Sequence, residues 1–267
     1  MSIAATNCSL VFGAVRVDYL RTASMNQTLV IVPTYNEREN LSRMADRLLK
    51  LPVRVDVLVV DGNSSDGTGR IADELAAKHP EVHVLHQPEK NGLGRAYIAG
   101  FKWALDRSYG FIFEMDCDLS HNPDDVPAFL DAAQNADLVL GSRYVGGIRV
   151  INWPLKRLML SRGAGKYVKL VTGMPFTDPT GGYKCFSRRA LAAVKLDEIR
   201  SNDYSFQIEV THKLWRRGFK IVEIPIVFTE RVEGQSKMAG HIVSEAFWMV
   251  WRLCWQNGFR RRPRLKV

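Results

Sequence analysis

Five short apolar runs, at 29–32, 55–60, 82–86, 111–115 and 137–140, limit this chain's folding options more than any other feature. They are mostly continuous rather than alternating, the pattern of strands buried on both faces. Between them, 37–50, 66–78, 93–105 and 123–133 carry apolar residues at helical spacing, as at Leu41, Met44, Leu48 and Leu49. Strands alternating with helices predict an α/β fold, with a mostly parallel central sheet covered by helices on both faces. The second half is less regular. A basic amphipathic helix is expected over 155–171, a strand over 183–186, and a helix over 203–217. A strand over 221–228 carries Pro225, which suits an edge.

No repeat or linker divides the 267 residues, so one domain over 28–240 is expected. With 46% hydrophobic and 24% charged residues, a disordered, collagen-like or disulfide-scaffold chain is excluded. Cys8, Cys117, Cys185 and Cys254 are too far apart for a zinc ribbon or redox pair. Residues 1–27 lack the pattern of a secretory signal and read as a disordered extension. No window offers 18 uncharged apolar residues, so no membrane-spanning helix is expected. Residues 241–267 read as an amphipathic aromatic helix with Phe247, Trp248, Trp251 and Trp255 at helical spacing, followed by a basic tail. That suits a membrane interface on one side, the domain on the other, or both.

Net charge is +9, and its distribution is uneven. From Ser142 to Thr177 there is no acid but seven basic residues: Arg143, Arg149, Lys156, Arg157, Arg162, Lys166 and Lys169. Such a run suits a phosphorylated ligand or an anionic surface, or is a solvated helix face. No helix-turn-helix, zinc-finger or RNP pattern accompanies it, so nucleic acid is not expected as a partner.

In open parallel sheets, ligands lie beyond the carboxyl ends of the strands. Three strand ends here carry polar clusters: Pro33-Thr34-Tyr35-Asn36-Glu37, then Asp61 through Thr68, and Asp116-Cys117-Asp118. Two carboxylates in a D-x-D can share one divalent cation with a substrate's phosphate oxygens. Alone, D-x-D is a weak signal. The stretch 61–68 also reads as a turn, with Asp66 capping the next helix. Asn91-Gly92-Leu93-Gly94 reads either as a helix entry or as a phosphate loop.

Taken in order, PTYNE at 33–37, VVD at 59–61 with SDGT at 65–68, EKNGLG at 89–94, MDCDLSH at 115–121, GSRYVGG at 141–147, DPTGGYKCF at 178–186 and EIPIVFTERVEGQSK at 223–237 resemble the family 2 glycosyltransferases. Within them, the set is most similar to the polyprenol (dolichol) phosphate mannosyltransferases. The resemblance implies a nucleotide-diphospho-sugar transferase fold, GDP-mannose as donor and a polyprenyl or dolichyl phosphate as acceptor. It implies that Pro33, Tyr35, Glu37, Val60 and Asp61 line the nucleotide pocket. Asp116 and Asp118, with Ser120 and the backbone of Cys117, would hold Mg²⁺ or Mn²⁺ and the donor diphosphate. Arg231 and Lys237 would hold donor phosphate, and Arg143, Arg157 and Ser161 the acceptor phosphate. Asp116, Asp118 and Arg143 would carry catalysis. A peripheral enzyme on the cytoplasmic face of a membrane is implied, with room for a membrane protein that recruits it.

The sequence departs from the family pattern in two places. Gly62 stands where a second acid usually follows Asp61, and Cys117 where Ala is common. Gly62 keeps a UDP-sugar transferase as the alternative; a non-catalytic nucleotide-sugar-binding partner is the other rival. Glu114 adds an acid that strand alternation would place on the same side as Asp116 and Asp118.

Overall fold

The computed structural model describes residues 27–230, 248–253 and 255. Arg231, Lys237, the expected extension before Gln27 and most of the expected terminal segment lie outside the described residues. Among the described residues, nine strands run β1 Gln27–Thr34, β2 Asp56–Asp61, β3 Val82–His86, β4 Tyr109–Glu114, β5 Leu138–Ser142, β6 Val150–Ile151, β7 Lys184–Ser187, β8 Ile221–Pro225 and β9 Phe228–Thr229. Seven of them form one sheet, ordered β3-β2-β1-β4-β7-β5-β8, while β6 and β9 pair in a separate ribbon. All neighbours in the large sheet are parallel except β7, which runs antiparallel to both β4 and β5.

The helices are α1 Arg38–Leu49, α2 Thr68–Lys78, α3 Leu93–Leu105, α4 Val126–Ala133, α5 Leu155–Thr172, α6 Arg188–Ala193 and α7 Asp203–Arg216. Because strand side chains alternate, each continuous apolar run feeds two cores. Leu29, Ile31, Leu58, Val60 and Ile112 pack on one face with Tyr97 and Phe101 of α3 and with Phe206 and Leu214 of α7. Val30, Val32, Val57, Val59 and Phe113 pack on the other with Leu41 and Met44 of α1 and Phe129 of α4. A Cβ at Gly100 would sit 2.7 Å from Ile31 Cγ2, so glycine lets α3 lie close on β1 and brings Tyr97 under the sheet's carboxyl end.

The chain steps outward from β1 through β2 to β3, then returns to β1's other side as β4. That reversal makes a switch point, with a crevice beyond β1 and β4. Among the expected boundaries that the structure shifts are those of three strands. The first strand begins at Gln27, inside the expected extension. The 183–186 strand is Lys184–Ser187. The 221–228 strand breaks after Pro225, which has no N–H to donate, into edge strand β8 and ribbon strand β9. Residues 248–253 and 255 are helical; Met249, Val250 and Leu253 join the α3/α7 core, while Trp248, Trp251 and Trp255 are exposed. No helix among the described residues is long and apolar enough to cross a membrane.

Candidate active site

The ends of β1 and β2 are laced together by hydroxyl groups and backbone amides. Asp61 is buried, and its carboxylate accepts from Thr34 Oγ1 (3.2 Å), Ser64 Oγ (2.6 Å) and Ser64 N (3.2 Å). Asn36, in the left-handed region at φ 56°, donates its N–H to Ser64 Oγ and accepts from Ser65 N. Glu37 N donates to Thr68 Oγ1 and Arg38 N to Asp66. Burial works against ionising Asp66, but hydrogen bonds from Thr68 and Arg38 outweigh it and hold the carboxyl below its ordinary range. Gly67 occupies the N-cap position of α2, and Asp66, one residue earlier, caps the helix by accepting from Thr68 N (2.9 Å). Asp61 is thus a latch between strand ends. Val60 is fully buried behind the crevice, whereas Pro33, Tyr35 and Glu37 are partly exposed on it. Beside them, Lys90 Nζ lies 3.9 Å from the centre of the Tyr35 ring.

Strand β4 stops at Glu114, so strand alternation does not continue through to Asp118. Asp116 N donates to His121 Nδ1 (3.1 Å), and Tyr97 Oη lies 3.4 Å from Asp116 Oδ1. Asp118 is buried, its Oδ1 accepting from Ser120 N (3.0 Å) and Ser120 Oγ (2.6 Å) across a turn with Leu119 at φ 61°. Ser120 therefore orients Asp118. Cys117 packs in the α1/α4 core. Burial lowers the His121 pKa below its ordinary value, which favours a neutral ring; with Nδ1 accepting, its proton belongs on Nε2. Among the described residues, no three His, Cys, Asp or Glu side chains form a metal cage. Two aspartates with hydroxyl support do fit a hard cation whose other positions go to water and substrate phosphate.

Behind this loop, Glu114 faces Lys184 across the β4/β7 pair, and both are fully buried. Burial pushes the Glu114 pKa up to about 7, with Asp116 adding to the rise, Lys184 opposing it. Burial brings Lys184 down to about 8, with Glu114 opposing. Lys184 Nζ donates to Gln207 O (2.8 Å) and Thr211 Oγ1 (3.0 Å).

The guanidinium groups gather on the other side. Arg143 is buried and bidentate on Asp178 (Nε 2.7 Å, Nη2 2.6 Å); its own N–H and Thr180 complete the lock. Glu223 in turn accepts from Thr177 and from Asp178 N. Although burial raises the Asp178 pKa, Arg143's charge and hydrogen bonds prevail and hold it below the ordinary carboxylate value. Arg157 pairs with Glu230, its guanidinium carbon 4.2 Å from the Trp153 ring centre. Ser161 Oγ accepts from Tyr144 Oη (2.7 Å). Phe228 joins the two sides: its ring centre lies 5.5 Å from that of His121, 5.4 Å from that of Trp153 and 5.7 Å from the Arg143 guanidinium carbon.

The structure thus brings Asp116, Asp118, Ser120, Arg143, Arg157 and Ser161 around one crevice. Tyr97, Tyr144, Trp153, Asp178, Phe228 and Glu230 also belong to it and were not singled out from sequence. Tyr144, Asp178, Phe228 and Glu230 lie inside motifs already recognised by pattern; Trp153 carries no local signal. The glycine loop before α3 is a helix entry filled by a side chain. Asn202 Oδ1 accepts from Gly94 N (2.8 Å), its Nδ2 donates to Asn91 O (3.0 Å), and a Cβ at Gly92 would strike it at 2.1 Å.

Residues 29–194 match the family model "Glycosyl transferase family 2". An undecaprenyl-phosphate mannosyltransferase of Micrococcus luteus is 49% identical over 220 residues, covering 82% of this chain and 90% of that protein. The chain belongs to glycosyl transferase family 2. Solved structures agree on the fold of this glycosyltransferase. Glucosyl-3-phosphoglycerate synthase from Mycobacterium tuberculosis, in complex with Mn²⁺, UDP-glucose and phosphoglyceric acid, superposes with a TM-score of 0.66 at 16% identity, covering 90% of this chain and 84% of that one. The mannosyltransferase PcManGT from Pyrobaculum calidifontis, in complex with GDP-mannose and Mn²⁺, gives 0.58 at 17% identity, covering 94% and 74%.

Proposed function

We propose that this glycosyltransferase moves mannose from GDP-mannose to a polyprenyl (dolichyl-type) monophosphate, releasing GDP and inverting the anomeric centre to a β-mannosyl phosphate. The observation that carries this reading is the shared wall at Phe228. An aspartate loop suited to a cation and diphosphate stands on one side of it, and a guanidinium cluster suited to a second phosphate on the other. The undecaprenyl-phosphate mannosyltransferase at 49% identity supports the sugar and the acceptor class. The GDP-mannose-bound neighbour, alike only in fold, is compatible with the donor.

Asp116 and Asp118 hold the cation, Mg²⁺ or Mn²⁺, with Ser120 fixing the second carboxylate. When bound, the ion supplies charge neutralisation for the departing diphosphate. Pro33, Tyr35 and Glu37 border the nucleotide; Arg231 and Lys237 hold its phosphates. Arg143, fixed by Asp178, together with Arg157 and Ser161, receives the acceptor phosphate by charge-assisted hydrogen bonds and aligns its oxygen with the sugar carbon. A phosphate monoester has its second pKa at about 6, so it arrives ionised and needs no general base. Exposed Leu155, Met159, Leu160 and Leu170 on basic α5, with Trp248, Trp251 and Trp255, rest the enzyme on the membrane that contains the acceptor. The side is the cytoplasmic one.

The test is transfer from radiolabelled GDP-mannose to short polyprenyl phosphates, with and without Mg²⁺, beside UDP-glucose and UDP-GlcNAc. Mannosyl lipid formed from GDP-mannose alone, and lost with the metal, is expected. Consumption of a UDP sugar instead would overturn the donor, and is the result the Gly62 departure would favour.

A further inference from the structure

The two guanidinium–carboxylate pairs of the site are built differently. Asp178 spends both oxygens on Arg143, is itself anchored through its N–H to Glu223, and is buried. Glu230 meets Arg157 through Oε1 alone, while Oε2 is buried without a hydrogen-bond partner. Both members of this second pair are about a quarter exposed, at 23% and 26%. Glu230 is not the sole anchor of Arg157, because the guanidinium also lies over the Trp153 ring, 4.2 Å from its centre. Glu230 is tied through its backbone N–H to Ile151 O (3.1 Å), so its side chain can swing while its main chain stays in the ribbon. A carboxylate with one oxygen dry and unbonded gains solvation by leaving, which makes its exchange for another anion inexpensive.

We propose that Glu230 is an internal stand-in for the acceptor phosphate: it occupies Arg157 in the empty site and is displaced by an incoming phosphate monoester dianion. Position 230 then sets the affinity and selectivity of the acceptor subsite. A monoanion such as acetate or chloride brings no more charge than the carboxylate it must expel. A phosphate monoester, at ~−1.5 to −2 near neutrality, brings more. This inference rests on the acceptor reading of Arg157 given above.

The experiment measures binding of geranyl phosphate, a short polyprenyl monophosphate, and of GDP to the full chain and to Glu230→Gln and Glu230→Asp. Acceptor and donor KM follow in parallel, with inorganic phosphate as competitor. Removing a partly exposed charge pair corresponds to about three- to fivefold in affinity. Glu230→Gln is therefore expected to bind geranyl phosphate and inorganic phosphate tighter by about that factor, with a lower acceptor KM and an unchanged donor KM. Glu230→Asp, which restores the charge, should return toward the parent. If Glu230→Gln binds geranyl phosphate equally or more weakly, Glu230 is a fixed support of Arg157 and the proposal is overturned, while the function stands. If parent and variants bind GDP but no geranyl phosphate, both the acceptor reading and the proposal fall.

Discussion

The crevice has two halves that hold their charges by opposite means. On the β1–β4 side, Asp61, Asp66 and Asp118 are oriented by hydroxyls and backbone N–H groups. On the β5–β9 side, Arg143 and Arg157 are oriented by Asp178 and Glu230. A hydroxyl orients a carboxylate and leaves its charge in place; a carboxylate orients a guanidinium and cancels much of its field. The first half is thus preset for a cation, and the second must be opened by an anion. Breaking the two halves should therefore give different results: lost chemistry on one side, lost stability on the other.

The largest effect is expected at Asp118. Asp118→Asn keeps the shape and can still accept from Ser120, but removes the charge that a cation needs. Transfer should fall by at least about 10³-fold, some 4 kcal/mol of transition-state stabilisation, with no rescue by excess Mg²⁺. The melting temperature should stay within a few degrees of the parent, because the hydrogen-bonded turn survives. A variant that retains full transfer would remove the aspartates from the proposed chemistry.

The mirror experiment is Asp178→Asn. It strands a buried guanidinium, whose loss of a charged partner costs about 4 kcal/mol of folding stability. Urea unfolding should show a lower midpoint at unchanged slope. The sign with pH follows from the depressed Asp178 pKa. Its contribution is present above about 3.8, the ordinary value, and is lost as pH falls through the lower folded-state value. An equally stable Asp178→Asn protein would show that Arg143 is held by its other contacts and would erase the contrast between the halves.

The same division separates what could be read in the sequence from what could not. Strands β1 to β4 are legible because parallel strands buried on both faces leave unbroken apolar runs, and their polar ends stand out against them. The β5–β9 half depends on short elements and distant partners. Helix α6 has six residues, too few for periodicity, although Ser187 accepts from Ala190 N as a helix cap. Ribbon strands β6 and β9 have two residues each. Asn202 reaches a glycine loop 108 residues away, and Glu230 pairs with Arg157 across 73 residues. No local pattern encodes such contacts. The motif order identified the family and assembled the candidate residues, but it could not show that Asp61 is turned inward or that Arg143 is already paired.

A smaller effect lies on the seam between the halves, where β4 meets β7. Glu114 is buried with a pKa pushed up to about 7, against 4.5 for an ordinary glutamate. Between those values the folded chain holds a proton on Glu114 that the unfolded chain releases. This contribution to stability is therefore complete below about pH 4.5 and is lost as pH rises through 7, amounting to roughly 3 kcal/mol over the interval. Lys184, at about 8 in the fold, stays charged in both states across that range and adds no slope there. Glu114→Gln removes the titrating group while keeping its size, so unfolding free energies measured from pH 5 to 7 should lose this downward slope. At pH 7 and above, Lys184 is left without its counter-charge, which works against the variant and limits any gain. An unchanged slope in Glu114→Gln would mean that Glu114 titrates near its ordinary value and that water reaches the seam.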